Sequence, residues 1–305
     1  MMFGLIRLSP LLAVLAMSTA AQAHGIAGNR YFPGTLTFDD PAVADELILP
    51  NLSESRRPVG IDDPVYDTTV AASFARLLTP DLALGVDSSW SQWSRKGLPR
   101  QRGVGMTTVS LKGRVYENDP HEELLSFSLG WGIPKSGSQT VRAGGPATFQ
   151  VGAFGGKGFG NLPDNLAWMR PFGIAGGAVV LLPTRSHTSV LGLEPVTRQL
   201  GTIAAGEPNT LHWAFALEYS TLYLTDRFNG QPPKEGPLNQ LVPLVEFAFD
   251  RPLGHARGFK SMETANPGLS YVGVTYQIAE EAVMPMNHAA GSGGGVRIQP
   301  ADVPG

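Results

Sequence analysis

The chain contains no cysteine among its 305 residues. Disulfide scaffolds, zinc–thiolate centres and iron–sulfur clusters are therefore excluded. The lack also suits a protein that crosses an oxidising periplasm, where stray thiols crosslink. Charge is scarce. Asp, Glu, Lys and Arg make up 16% of the chain, against roughly 25% in an average soluble domain. Positive excess is missing as well: the net charge is −3, so the basic footprint of nucleic-acid binding is absent. Beyond residue 23 there is no long uncharged apolar run, which argues against a helical membrane protein. Catalytic signatures are missing too. There is no G-x-S-x-G, no H-E-x-x-H and no pair of carboxylates in an interpretable frame. The stretch 152–160 (GAFGGKGFG) lacks P-loop spacing, and Lys157 is followed by Gly158 rather than Ser or Thr. The expectation is a protein with no cofactor and no enzymatic activity.

What the sequence does have is glycine, 37 residues, and proline, 25 residues. Both are poor helix formers, so a helical fold is disfavoured. Residues 1–23 read as a secretory signal peptide. Arg7 supplies the positive start, residues 8–17 form a short apolar run, and Ala21-Gln22-Ala23 is a small-x-small cleavage site before His24. An uncleaved anchor is the alternative, but the apolar run is short for a span of about 20 residues. No cysteine follows the cut, so a lipoprotein is not expected.

From Tyr66 onward, short segments alternate apolar and small or polar residues, the two-residue period of a β-strand. Leu211, Trp213, Phe215, Leu217 and Tyr219 alternate with His212, Ala214, Ala216 and Glu218. Leu125, Phe127, Leu129, Trp131 and Ile133 alternate with Ser126, Ser128, Gly130 and Gly132. Similar patterns occupy 82–90, 107–115, 245–250 and 272–279, and weaker ones 68–77, 147–154 and 169–182. A soluble sandwich also alternates. Three features favour a barrel with lipid outside. The second face is built from Gly, Ala, Ser and Thr, unlike a charged sandwich surface. Aromatics such as Trp90, Trp131, Trp168, Tyr219 and Tyr276 sit toward strand ends, as in an interfacial girdle. Connections alternate in length: 77–81, 117–122 and 160–165 are short, whereas 94–105, 134–146 and 183–209 are long. Short periplasmic and long outer connections are the barrel pattern. The segment 225–240 breaks it, being long where a short turn is due.

The predicted fold is therefore all-β, an antiparallel up-and-down transmembrane β-barrel of about 10–12 strands. The predicted organisation is a signal peptide (1–23), an N-terminal extension or first strand (24–65), a barrel (66–285), and a flexible tail or last-strand stub (286–305). The strand near 68–77 runs inward, so an earlier strand must run outward. Residues 32–48 are the candidate, a poor one because of Pro33 and Pro41.

The start AHGIAGNRYFPGTLTFDDPAVADELILP, followed by these strands, resembles bacterial outer-membrane barrels of the transporter type associated with the phenol-degradation meta pathway. The resemblance covers most of the mature chain and carries no catalytic motif. It implies a Gram-negative outer-membrane barrel passing small, hydrophobic or aromatic molecules. The chain ends Asp302-Val303-Pro304-Gly305, not on the aromatic residue that usually closes such barrels. That ending implies inefficient assembly, or a truncated or altered terminus.

Lys112, Arg114, His212, Glu218, Glu246 and Asp250 fall on the predicted lumen face. They either set charge selectivity in a pore or pair into a network that rigidifies a narrow barrel. His24, as a free amino-terminal histidine, is a weak copper candidate through its amine and ring nitrogen, but no second histidine stands at a recognisable spacing. The basic run Ser94-Arg95-Lys96-Gly97 with Arg100 and Arg102 either meets lipopolysaccharide phosphates or is a solvated loop. The expected partners are outer-membrane lipid and lipopolysaccharide, the barrel assembly machinery and a small-molecule solute, with no nucleic acid. The predicted role is an outer-membrane channel or transporter. The alternatives are a non-transporting structural barrel, a soluble periplasmic β-protein binding a ligand or copper, and a barrel enzyme that no motif supports.

Overall fold

The computed structural model describes residues 25–28, 30–59, 62–193, 200–221, 240–254, 259–273 and 276–300. The proposed signal peptide, His24 and most of the 225–240 connection lie outside them. Two short strands come first, β1 (Gly25–Ala27) and β2 (Arg30–Phe32), paired as a hairpin. Next are β3 (Glu46–Val59), β4 (Asp62–Thr79), β5 (Leu82–Ser94), β6 (Gln101–Val104), β7 (Thr108–Asn118), β8 (Glu123–Gly132) and β9 (Thr148–Gly158). The series continues with β10 (Phe172–Pro183), β11 (His187–Leu193), β12 (Leu200–Gly206), β13 (Thr210–Tyr219), β14 (Leu241–Pro252), β15 (Met262–Val272), β16 (Tyr276–Pro285) and β17 (Ser292–Pro300).

Twelve of these strands close into one antiparallel barrel, in the order β4, β3, β17, β16, β15, β14, β13, β10, β9, β8, β7, β5, with β5 returning to β4. Closure matters because it leaves no unpaired edge, the condition for placing strands in lipid. The ring strands run from 9 residues in β17 to 18 in β4, enough to cross a bilayer when tilted. No helix among the described residues is long and apolar enough to cross a membrane. β6 extends the upper half of β5 beyond the ring, and β11 with β12 forms a separate hairpin.

The barrel has two unlike ends. β3 starts and β17 finishes at one, here the base. The connections at 80–81, 119–122, 159–171 and 273–275 lie there as well. The other end, the mouth, carries the connections at 95–107 and 133–147 and the β11–β12 hairpin.

Polarity is inverted relative to a soluble domain. Ser126, Glu218, Glu246, Asn266, Ser270, Gln277, Glu281, Arg297 and Gln299 are all buried, whereas Leu129 is 63% exposed and Phe127 49%. On β13 and β14 the outward residues form a stacked ladder, Trp213 on Phe249 at 4.0 Å and Phe215 on Phe247 at 5.2 Å between ring centroids. Their inward neighbours Ala214, Ala216 and Ala248 are buried.

Three sequence readings are corrected. The first ring strand is β3, not 32–48. Its outward face carries Glu54 and Arg56 beside Leu52, and its pairing with β4 shifts between Ile48 and Asn51, so the alternation is hard to see. The pattern at 272–279 is not one strand. Val272 ends β15 with its side chain buried, and Tyr276 begins β16 with its side chain exposed. Two half-patterns meet across a basal turn closed by Gly273 N–H donating to the Tyr276 carbonyl. The connection read at 160–165 runs from 159 to 171 and holds a 3-10 segment, Asp164–Met169. At the C-terminal end, Ser292–Pro300 pairs with both β16 and β3 and closes the ring.

Candidate functional site

The site is the barrel lumen, and the N-terminal segment runs through it. It enters at the base, where Gly28 adopts φ +57° and donates its N–H to Asp119 Oδ1 at 2.9 Å. A Cβ there would lie 2.3 Å from the Asp119 carbonyl oxygen, so only glycine fits. Arg30 is fully buried. It pairs with Glu122 at 3.2 Å and donates to the Pro171 carbonyl at 2.8 Å. Phe32 packs over Gly156, where a side chain would collide with its ring.

Residues 33–45 then cross the lumen as a strap. Thr35 and Thr37 each donate a hydroxyl to Glu246, and the Leu36 N–H donates to Glu281 at 2.9 Å. Arg297 donates to the Thr35 carbonyl at 3.0 Å and pairs with Glu46 at 2.9 Å. His212 meets the Thr37 carbonyl through Nε2 at 2.9 Å and Asp250 through Nδ1 at 2.8 Å. Lys112 pairs with Asp39 at 2.7 Å. The strap returns to the base at Asp45, which pairs with Arg76 at 2.5 Å.

The strap's two aspartates are driven apart. Burial acts to raise Asp39, but the Lys112 and Arg297 charges outweigh it and hold the carboxyl below its ordinary range. Burial pushes Asp40 above that range, against the pull of Lys112 and with the help of the Asp39 charge. Asp39, Asp40 and Glu46 lie close enough together to offer a cation three ligands. Lys112 already pairs with Asp39, and Arg297 with Glu46.

The two halves of the wall treat the strap differently. β13 to β17 present long polar side chains, Glu218, Glu246, Asn266, Gln277, Glu281 and Gln299; Glu246 and Glu281 bond the strap, and Asn266 donates to Glu246. The β4 to β8 side presents Ser73, Ala75, Ala83, Gly85, Ser110 and Ser128. A cavity of about 280 Å³ remains between this wall and the strap. Asp87, Lys112 and Arg297 reach into it beside Phe38 and Phe154.

Five of the sequence candidates, Lys112, His212, Glu218, Glu246 and Asp250, lie along this inner wall. Lys112, His212 and Glu246 touch the strap directly, and Asp250 does so through His212. Glu218 is buried near Arg30. Arg114 stands apart at the base, bound to Asp81 and Glu117. Sequence reasoning missed Arg30, Asp39, Glu122, Glu281 and Arg297. The signal for Glu281 and Arg297 was their strand alternation, hidden by the Glu280-Glu281 doublet and by the triple glycine Gly293-Gly294-Gly295. Arg30 and Asp39 lie in a segment without period.

No family model matches the chain, and no curated protein matches its sequence. Solved outer-membrane barrels do share its architecture. The COG4313 outer membrane channel from Pseudomonas putida F1 is 12% identical, with 89% of this chain and 98% of that one covered, at a TM-score of 0.51. The KdgM porin in complex with disordered oligogalacturonate is 11% identical over 82% of this chain and 98% of its own, at 0.42. The translocator domain of autotransporter NalP from Neisseria meningitidis is 12% identical over 85% and 89%, at 0.46. The first likeness shows the fold and nothing finer. The resemblance to phenol-degradation barrels thus reaches as far as the barrel class.

Proposed function

We propose that the chain is a non-enzymatic outer-membrane channel or transporter for small molecules, hydrophobic or aromatic ones among them, with its base toward the periplasm. The supporting observation is the asymmetric lumen. One half-wall makes most of the bonds to the strap, while the other, apart from its Lys112 and Arg76 pairs to the strap, is lined by Ser, Ala and Gly and leaves the 280 Å³ cavity beside it. Small side chains on one side of a plugged barrel keep a path open. The apolar exterior supports a membrane location, because such a surface is stable against lipid. Phe38 and Phe154, both buried beside the cavity, suit an apolar or aromatic solute.

The test is single-channel recording of the mature protein in planar bilayers, after fractionation shows it in the outer membrane. Discrete conductance steps are expected, reduced by Ser110→Phe, which fills the cavity. A second reading, a plugged structural barrel, is favoured by the number of bonds on the strap. It predicts no steps from the wild-type barrel even when insertion is verified.

A further inference from the structure

The outward face near the mouth carries three exposed arginines, Arg56 on β3, Arg102 on β6 and Arg251 on β14. Each stands at the upper edge of the aromatic belt. Arg56 lies opposite Tyr66, which is itself exposed. Arg102 lies two pairs above the Trp90–Val104 pair, on the same face, and both of those residues are exposed. Arg251 lies two residues beyond Phe249, the ring stacked on Trp213. The inward side of β6 is covered: Ser138 and Thr140 pack against Gly103, which leaves Arg102 facing out.

These arginines differ from the outward charges at the base. There Arg76 pairs with Asp45 and Lys157 with Glu123. Among the described residues, Arg56, Arg102 and Arg251 have no carboxylate within ion-pair distance. On the same outward faces, Glu54 and Glu263 sit one step closer to the barrel waist. Above the belt, Lys96 and Arg100 at the tip of the β5–β6 hairpin are exposed as well.

We propose that Arg56, Arg102 and Arg251 form a collar that binds the phosphate groups of lipopolysaccharide in the outer leaflet. A guanidinium set just beyond an interfacial aromatic stands at headgroup depth, and its planar fork matches phosphate oxygens two at a time. The inference rests on the outer-membrane reading with the mouth outward. It is independent of whether the lumen conducts.

The test uses the folded full-length barrel in detergent, titrated with bisphosphorylated lipid A and with the same lipid stripped of phosphate, and read by native mass spectrometry. The phosphorylated form is expected to bind at least about tenfold more tightly. The triple variant Arg56→Gln/Arg102→Gln/Arg251→Gln should lose most of that preference, while Lys157→Gln at the base should keep it. Arg102→Gln alone, on a strand outside the ring, gives a partial loss without touching the barrel. Equal binding of the two lipids, or an unchanged preference in the triple variant that still shows a heat-modifiable gel shift, would overturn the collar. Failure of the wild-type protein to show that shift would count against the membrane reading instead.

Discussion

Arg30 concentrates much of what fixes the strap at the residue scale. Its guanidinium is fully buried and bound to Glu122. Removing one partner of such a pair leaves a charge stranded in a dry site, at a cost of about 3–5 kcal/mol. Arg30→Ala should therefore lower the temperature of the heat-modifiable transition and raise the open probability in bilayers. Double replacement, Arg30→Met with Glu122→Leu, should recover most of the loss. Lys112 acts midway along the strap. Lys112→Ala leaves Asp39 only its longer contact with Arg297 at 3.7 Å and should enlarge the conducting state, read as larger single-channel steps. An unchanged step size would show that the ion pair with Asp39 does not hold the strap across the pore.

The strap and the strands behave differently as elements. β8 and β13 were legible because a strand buried on one face and greasy on the other must repeat every two residues. The strap has no such period. Its order comes from partners more than two hundred residues away, such as Glu246 and Arg297, and local sequence carries no trace of them. β3 was hidden because Glu54 and Arg56 occupy its outward face. Replacement of residues 30–43 by a short flexible linker into β3 should leave the barrel folded, since the ring pairings involve none of them. Conductance should rise severalfold. On the outer face of β8, Leu129→Arg should destabilise the inserted barrel by about 2–4 kcal/mol if it lies near the bilayer midplane. Urea unfolding from vesicles measures that cost, and Ser128→Arg, facing the lumen, should cost less.

For the whole molecule, the governing fact is the exchange of inside and outside. Buried Glu, Gln, Asn and Arg and exposed Leu, Phe, Val and Trp cannot both be stable in water. In lipid they can, because the closed ring pairs its strands all the way round and the strap bonds many of the lumen's polar groups. The absence of cysteine makes the direct test simple, since a single introduced cysteine at Leu129 or Ser128 labels one site. Spin labels there, in reconstituted vesicles, report collisions with oxygen, which partitions into lipid, and with a water-soluble nickel complex. The account predicts high oxygen and low nickel accessibility at Leu129, and the reverse order at Ser128. Free nickel access at Leu129, equal to that of an exposed loop residue, would contradict it.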